Sequence, residues 1–152
     1  MRAIRVHESG GIDTIRLDEI PCPVPEVGEV LVAVKTAGVG PWDRLVREGQ
    51  SGLGQALPLT LGSDISGTVA ALGADVDVFA LGDAVYGATN DLFVGGYAEY
   101  ALVDAGKVAR KPAALDYVTA AGLPVVAVTA WQMLFEYARI GSGQAILCAV
   151  RG

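Results

Sequence analysis

Through its first hundred residues the chain never sustains a helical period. Short alternating segments are cut apart by glycine and proline, and that rhythm commits the region to strands. Residues 2–7 put Ile4 and Val6 on one face and Arg5 and His7 on the other. Gly10-Gly11 makes a turn, after which residues 14–20 alternate again, Ile15 and Leu17 against Arg16 and Asp18. Pro21-Cys22-Pro23-Val24-Pro25 lacks a backbone donor at three positions, which predicts an extended connection. The strongest strand signal lies over 29–36, where Val30, Val32 and Val34 share a face. Residues 50–60 hold breakers and no period, predicting a loop; strands return over 66–72, 83–86 and 97–103. So many short strands with turns between them point to a barrel or a sandwich.

Two helical regions interrupt this pattern. Pro41, Asp43 in a first turn and Gly49 past the end predict a short helix over 41–49. Its Asp43/Arg47 and Arg44/Glu48 pairs stand at the i,i+4 spacing that lets side chains meet. From Asp116 the pattern turns helical, breaks near Pro124 and runs to about Arg139; Gly141-Ser142-Gly143 ends it, and 144–150 predicts an apolar strand. Residues 117–135 carry no charge, close to the length of a membrane span. Gly122 and Pro124 inside the run, with Thr119, Thr129 and Gln132, favour two buried helical segments and no membrane partner.

Composition removes further classes. Apolar residues at 52% and charged residues at 18% exclude intrinsic disorder. The 11 Lys and Arg against 17 Asp and Glu give a net charge of −6, which argues against a nucleic-acid partner. Cys22 and Cys148 lie far apart, suit a reducing cytoplasm and cannot build a four-thiolate zinc site. Charges interrupt every apolar stretch of the N-terminus, so no secretory segment is expected there.

Six pieces, in order, resemble one family. They are Gly38-Val39-Gly40-Pro41-Trp42-Asp43 with Arg47 and Gly49; Pro58-Leu59-Thr60-Leu61-Gly62-Ser63-Asp64 running to Gly67; and Gly82-Asp83-Ala84-Val85-Tyr86-Gly87. Gly96-Tyr97-Ala98-Glu99-Tyr100, Ala120-Ala121-Gly122-Leu123-Pro124 and Thr129-Ala130-Trp131 complete them. Together they resemble the N-terminal half of the medium-chain dehydrogenase/reductase superfamily, in its zinc-independent quinone oxidoreductase branch. The resemblance implies an α+β, mainly β fold: a GroES-like, partly open β-barrel over residues 1–115, then the first helix and first strand of an incomplete Rossmann domain over 116–152. It also implies hydride transfer from NADPH to a quinone or an activated carbon–carbon double bond.

The same resemblance sorts the polar residues. Zinc-dependent relatives carry a cysteine where this chain has Gly40 and a His-Glu pair where it has Ser63-Asp64, so no zinc is expected. The sole histidine, His7, reads as an exposed strand residue. Thr129 and Asp43 are the catalytic candidates, and Thr129, Ser63 and Asp43 the cofactor-facing ones. In similar enzymes the threonine of this helix faces the nicotinamide carboxamide. Each has a plainer account: Thr129 bonding back along its helix, Asp43 as helix-start charge paired with Arg47, Ser63 as a turn residue. Many quinone oxidoreductases carry asparagine in place of Gly40, which moves a polar role toward Asp43 or Asn90. Trp42, Tyr86 and Asn90 are the substrate-pocket candidates, while Tyr97 reads as a buried barrel aromatic.

A Rossmann domain binds pyrophosphate with a G-x-G-x-x-G turn between a strand and a helix. Gly141-Ser142-Gly143 precedes the predicted strand and has no third glycine. The expectation is therefore a truncated product, the catalytic domain alone, with NADPH binding weak or absent. The alternative is a GroES-like module acting through protein contacts, including a homodimer through the C-terminal strand and helix.

Overall fold

The computed structural model describes residues 1–149. In chain order the strands are β1 (Arg2–Val6), β2 (Ile15–Glu19), β3 (Glu29–Ala37), β4 (Leu59–Thr60), β5 (Asp64–Leu72), β6 (Ala84–Ala88), β7 (Tyr100–Asp104) and β8 (Val108–Arg110). They form a sheet of order β2-β1-β4 and a second of order β7-β3-β5-β6-β8, with every ladder antiparallel. The sheets are stitched together where Ala3 bridges Ala98 and the Ile4 N–H donates to the Tyr97 carbonyl at 2.7 Å. Leu61 N–H donates to the Ile4 carbonyl at 3.1 Å along the same edge of β1. The result is the mainly β, partly open barrel expected of the sequence.

Valine alternation becomes the barrel core. Val30, Val32, Ile65, Val69, Val85 and Val103 are buried together, each such side chain contributing about 1.5–3 kcal/mol. β3 shifts register between Leu31 and Val32 and again between Val34 and Thr36, which bends the strand around that core. At the bend a Cβ on Gly67 would stand 2.2 Å from the Ala33 carbonyl oxygen, so only glycine lets β5 approach β3 so closely.

The first helix, α1 (Pro41–Arg47), begins and ends as expected, with Gly49 in a left-handed conformation beyond it. Val46 joins Val6, Leu59 and Leu61 in a smaller cluster that docks α1 onto β1 and β4. Arg44 and Glu48 pair at 2.9 Å. The expected Asp43/Arg47 pair does not form: Asp43 turns back to the helix start, while Arg47 reaches Glu48 at 3.1 Å. A carboxylate in the first turn is closer to unpaired amides than to a guanidinium one turn on.

Helix α2 (Tyr117–Ala121) is capped by Asp116, which accepts the Thr119 N–H at 2.7 Å. Ala120 and Ala121 are fully buried, and Ser66 Oγ donates to the Tyr117 carbonyl at 2.6 Å, seating α2 on β5. Helix α3 (Pro124–Trp131) follows after the break at Gly122-Leu123 and widens into a π-helical turn over Gln132–Tyr137. No helix among the described residues is long and apolar enough to cross a membrane.

Three expectations need correction. Leu59–Thr60 lies inside the predicted loop yet pairs with Arg5 and Val6, and β8 went unpredicted because three residues carry no period. The strand expected over 144–150 is not formed at 144–149, which are exposed and join no strand among the described residues; Val150 lies outside them. An apolar run becomes a strand only where a neighbouring strand takes up its backbone hydrogen bonds. The predicted burial of the helical segments also fails along α3, where Val126, Val128 and Trp131 are exposed, as are Met133, Phe135 and Tyr137 beyond it.

Candidate functional site

α1, the loop at 50–57, the loop at 89–95 and α3 converge at one mouth of the barrel. They enclose a hollow of about 310 Å³ lined by Trp42, Leu45, Val46, Ser51, Leu53, Phe93, Val125 and Thr129. A second hollow of about 480 Å³ adjoins it and shares Phe93, Val125 and Thr129, with Asn90, Lys107 and Gln132 supplying polar groups. One side is therefore a dry aromatic slot and the other a polar vestibule, with the Thr129 hydroxyl on their common wall.

Trp42 is fixed from three directions. Its Nε1–H donates to Ser63 Oγ at 2.9 Å. Its ring meets Phe93 edge-on, with centroids 6.1 Å apart and planes at 60°. Its indole also lies over Gly40, where an added Cβ would stand 2.2 Å from Cε2. Phe93 adopts a left-handed φ of 56°, unusual for a residue with a side chain, and the turn that imposes it is held by Asn90. The Asn90 side chain donates to the Val94 carbonyl at 2.8 Å and accepts the Leu92 N–H at 3.0 Å.

Behind the slot lie two carboxylates that the fold buries. Asp43 Oδ2 accepts the Gly40 N–H at 2.7 Å and the Tyr97 hydroxyl at 2.8 Å, while Oδ1 is buried with no partner. Burial pushes its carboxyl above the usual range, and the Gly40 and Tyr97 donors oppose the shift. Asp64, at the head of β5, accepts the Val125 N–H at 3.1 Å and so ties α3 to the barrel across 61 residues. Burial pushes Asp64 up to about 6, the negative charge of Asp43 adds to it, and the Val125 amide resists. Burial first, and the bond and charge of Asp43 after it, raise the Tyr97 phenol well above its ordinary value, so Tyr97 stays a donor.

The fold brings Trp42 and Thr129 into one hollow and sets Ser63 at the Nε1 edge of the indole. Asn90 joins Thr129 in the adjoining hollow. Asp43 lines neither hollow; it meets them through α1, which also carries Trp42 and Leu45. Tyr86 lines neither: it stands opposite Ser66 in the ladder, on the sheet face that α2 covers. Thr129 is exposed, and among the described residues its hydroxyl has no hydrogen-bond partner, so the bond back along its own helix is not made. His7 is exposed and meets Asp18 at 2.7 Å. Sequence reasoning passed over Asp64, Phe93 and Leu53. Only for Asp64 was there a signal, a carboxylate inside the apolar run from Leu61 to Ile65.

Residues 26–113 match the profile of the alcohol dehydrogenase GroES-like domain. Over 148 residues the chain is 38% identical to the quinone oxidoreductase of Lama guanicoe, an alignment covering 97% of this chain and 44% of the relative. The chain thus spans less than half the length of the curated relatives it matches. Among solved structures, human synaptic vesicle membrane protein VAT-1 homolog-like protein superposes with a TM-score of 0.89 at 34% identity, covering 94% of this chain and 45% of that one. A mycobacterial protein solved in complex with NADPH superposes with a TM-score of 0.84 at 31% identity, covering 94% of this chain and 43% of that one.

Proposed function

Because the chain belongs to the alcohol dehydrogenase GroES-like domain family, we propose that it is the substrate-holding unit of an NADPH-dependent oxidoreductase that reduces a quinone or an activated carbon–carbon double bond. One observation carries this reading: the unpartnered Thr129 hydroxyl stands on the wall between an aromatic slot and a polar vestibule. The likeness to quinone oxidoreductases and to a structure holding NADPH supports the chemistry. In this assignment residues 1–115 are the catalytic unit and 116–152 open a nucleotide-binding unit.

The cofactor supplies a hydride when bound. This chain supplies the rest. Thr129 would hold the carboxamide of a nicotinamide brought to the slot, since its hydroxyl can both donate and accept. Trp42, Leu45, Leu53 and Phe93 hold a flat substrate and keep water away from it. Asn90 and Gln132, on the polar side, are the neutral groups placed to donate toward an oxygen that gains negative charge. No zinc enters this reading, since the Trp42 ring fills the space into which a side chain at position 40 would project. Among the described residues no three His, Cys, Asp or Glu side chains gather as metal ligands. Nor do the described residues contain a glycine-rich turn running from a strand into a helix, so NADPH binds this chain weakly or not at all.

Fluorescence titration tests the proposal. Saturable quenching of Trp42 by 1,4-naphthoquinone is expected, with affinity by equilibrium dialysis diminished in Thr129→Val by less than in Trp42→Leu, and with no saturable response to NADPH alone. Absence of saturable quinone binding refutes the substrate assignment, and tight NADPH binding refutes the division of labour between two units. A second reading has its own observation: the apolar stretch of Val126, Val128, Trp131 and Phe135 is exposed and suits self-association. Sedimentation that stays monomeric over a hundredfold concentration range removes it.

A further inference from the structure

The glycine at position 40 has a purpose beyond starting α1. Its φ of −106° is open to any residue, so backbone strain does not demand glycine there. Space does. A Cβ at 40 would lie 2.2, 2.3 and 2.7 Å from Cε2, Cζ2 and Cδ2 of the Trp42 indole, all inside contact distance. The indole cannot simply move aside, because Ser63 Oγ accepts its Nε1–H at 2.9 Å and Phe93 stands edge-on against it. Ser63 is itself 1% exposed, so its hydroxyl has no freedom to follow a displaced ring.

We propose that Gly40 and Ser63 are specificity-determining residues that act through Trp42: the missing side chain at 40 and the acceptor at 63 together fold the indole back to form the floor of the slot. A side chain at 40 would put its own atoms into that space and turn the indole outward. The slot that results is floored by an aromatic face and walled by Leu45, Leu53, Val125 and Phe93. It selects flat, uncharged ring systems that stack on indole over branched or charged molecules of the same volume. Selection by shape rests on the functional reading above; the placement of the indole does not.

The test separates the two. In the full 152-residue chain, the indole Nε1–H signals of Trp42 and Trp131 are resolved by ¹⁵N NMR, and hydrogen exchange is measured at each without any ligand. Gly40→Ala is expected to shift the Trp42 signal and speed its exchange at least tenfold, leaving Trp131 unchanged. Ser63→Ala, which frees the Nε1–H without crowding the ring, is expected to do the same to a lesser degree. Affinity for 1,4-naphthoquinone should fall about tenfold in Gly40→Ala, yet change less than twofold when the same substitution is made in Trp42→Leu. Should Gly40→Ala unfold the chain, Ser63→Ala carries the test alone. An unmoved Trp42 signal in the variants that fold overturns the inference, as does an equal loss of affinity in both backgrounds. A displaced indole in a chain that never binds naphthoquinone upholds the indole placement and refutes the functional reading instead.

Discussion

Replacing Asp64 by Asn should abolish a pH response of stability opposite in sign to that of a salt-bridged carboxylate. The folded-state value of Asp64 is pushed up to about 6 from an ordinary 3.8, a gap of about 2 units. At 1.36 kcal/mol per unit, the folded state is about 3 kcal/mol worse at holding the ionised carboxylate than the unfolded chain is. Well below 3.8 both states carry the proton and the penalty is nil. Between pH 4 and 6 the folded chain keeps a proton that the unfolded chain has released, so unfolding free energy falls as pH rises. Above pH 7 the full penalty stands. The groups that act on Asp64 by charge or hydrogen bond are Asp43 on α1 and the Val125 amide at the start of α3, and Tyr97 feels the Asp64 charge in turn. Asparagine keeps a carbonyl oxygen for the Val125 N–H and removes the charge, so its profile should lack this slope. Urea unfolding followed by circular dichroism, at pH 4 through 8, gives both curves. The difference between variant and parent should grow by about 3 kcal/mol from pH 4 to pH 8, equivalent to roughly 6–12 °C in Tm for a chain of this size. Parallel profiles would refute the claim that burial governs this carboxylate.

Tyr97→Phe removes the hydroxyl that donates to Asp43 at 2.8 Å and leaves a buried carboxylate with one donor fewer. A loss of about 1–3 kcal/mol at pH 7 is expected from urea unfolding, and the loss should shrink as acid protonates Asp43. Gly67→Ala drives a methyl to within 2.2 Å of the Ala33 carbonyl, and overpacking of about 1–3 kcal/mol should appear as a lower Tm. Ile65→Val, at a fully buried position, should cost about 1 kcal/mol without moving the naphthoquinone affinity, since Ile65 does not line the slot.

β1 and β3 could be read from a period of two, because Ile4 and Val6, and Val30 and Val32, stand at alternate positions; Val30 and Val32 enter the main core, while Val6 enters the smaller cluster beside α1. α1 was equally plain, since Pro41 and Gly49 act on the backbone locally whatever surrounds them. The Asp116 cap of α2 belongs to the same class. Other features had no local signature. β8 is held in place by β6, and residues 144–149 have the apolar pattern of a strand without the neighbour that would make one.

The site divides along the same line. From the sequence alone followed the inventory: Trp42, Asp43, Ser63, Asn90 and Thr129 as the residues to watch, and Gly40 as a position without a side chain. Only the tertiary structure decided what each of them meets. Spacing offered Arg47 to Asp43, but the chain returns 54 residues later with Tyr97, and the carboxylate takes the donor that is buried beside it. Spacing said nothing of Ser63 accepting the Trp42 Nε1–H, or of Asp64 holding Val125. Local geometry acts through bonds between neighbours and is therefore written in order along the chain. Desolvation and close contact depend on which distant segments share a space, and that exists only once the barrel has closed.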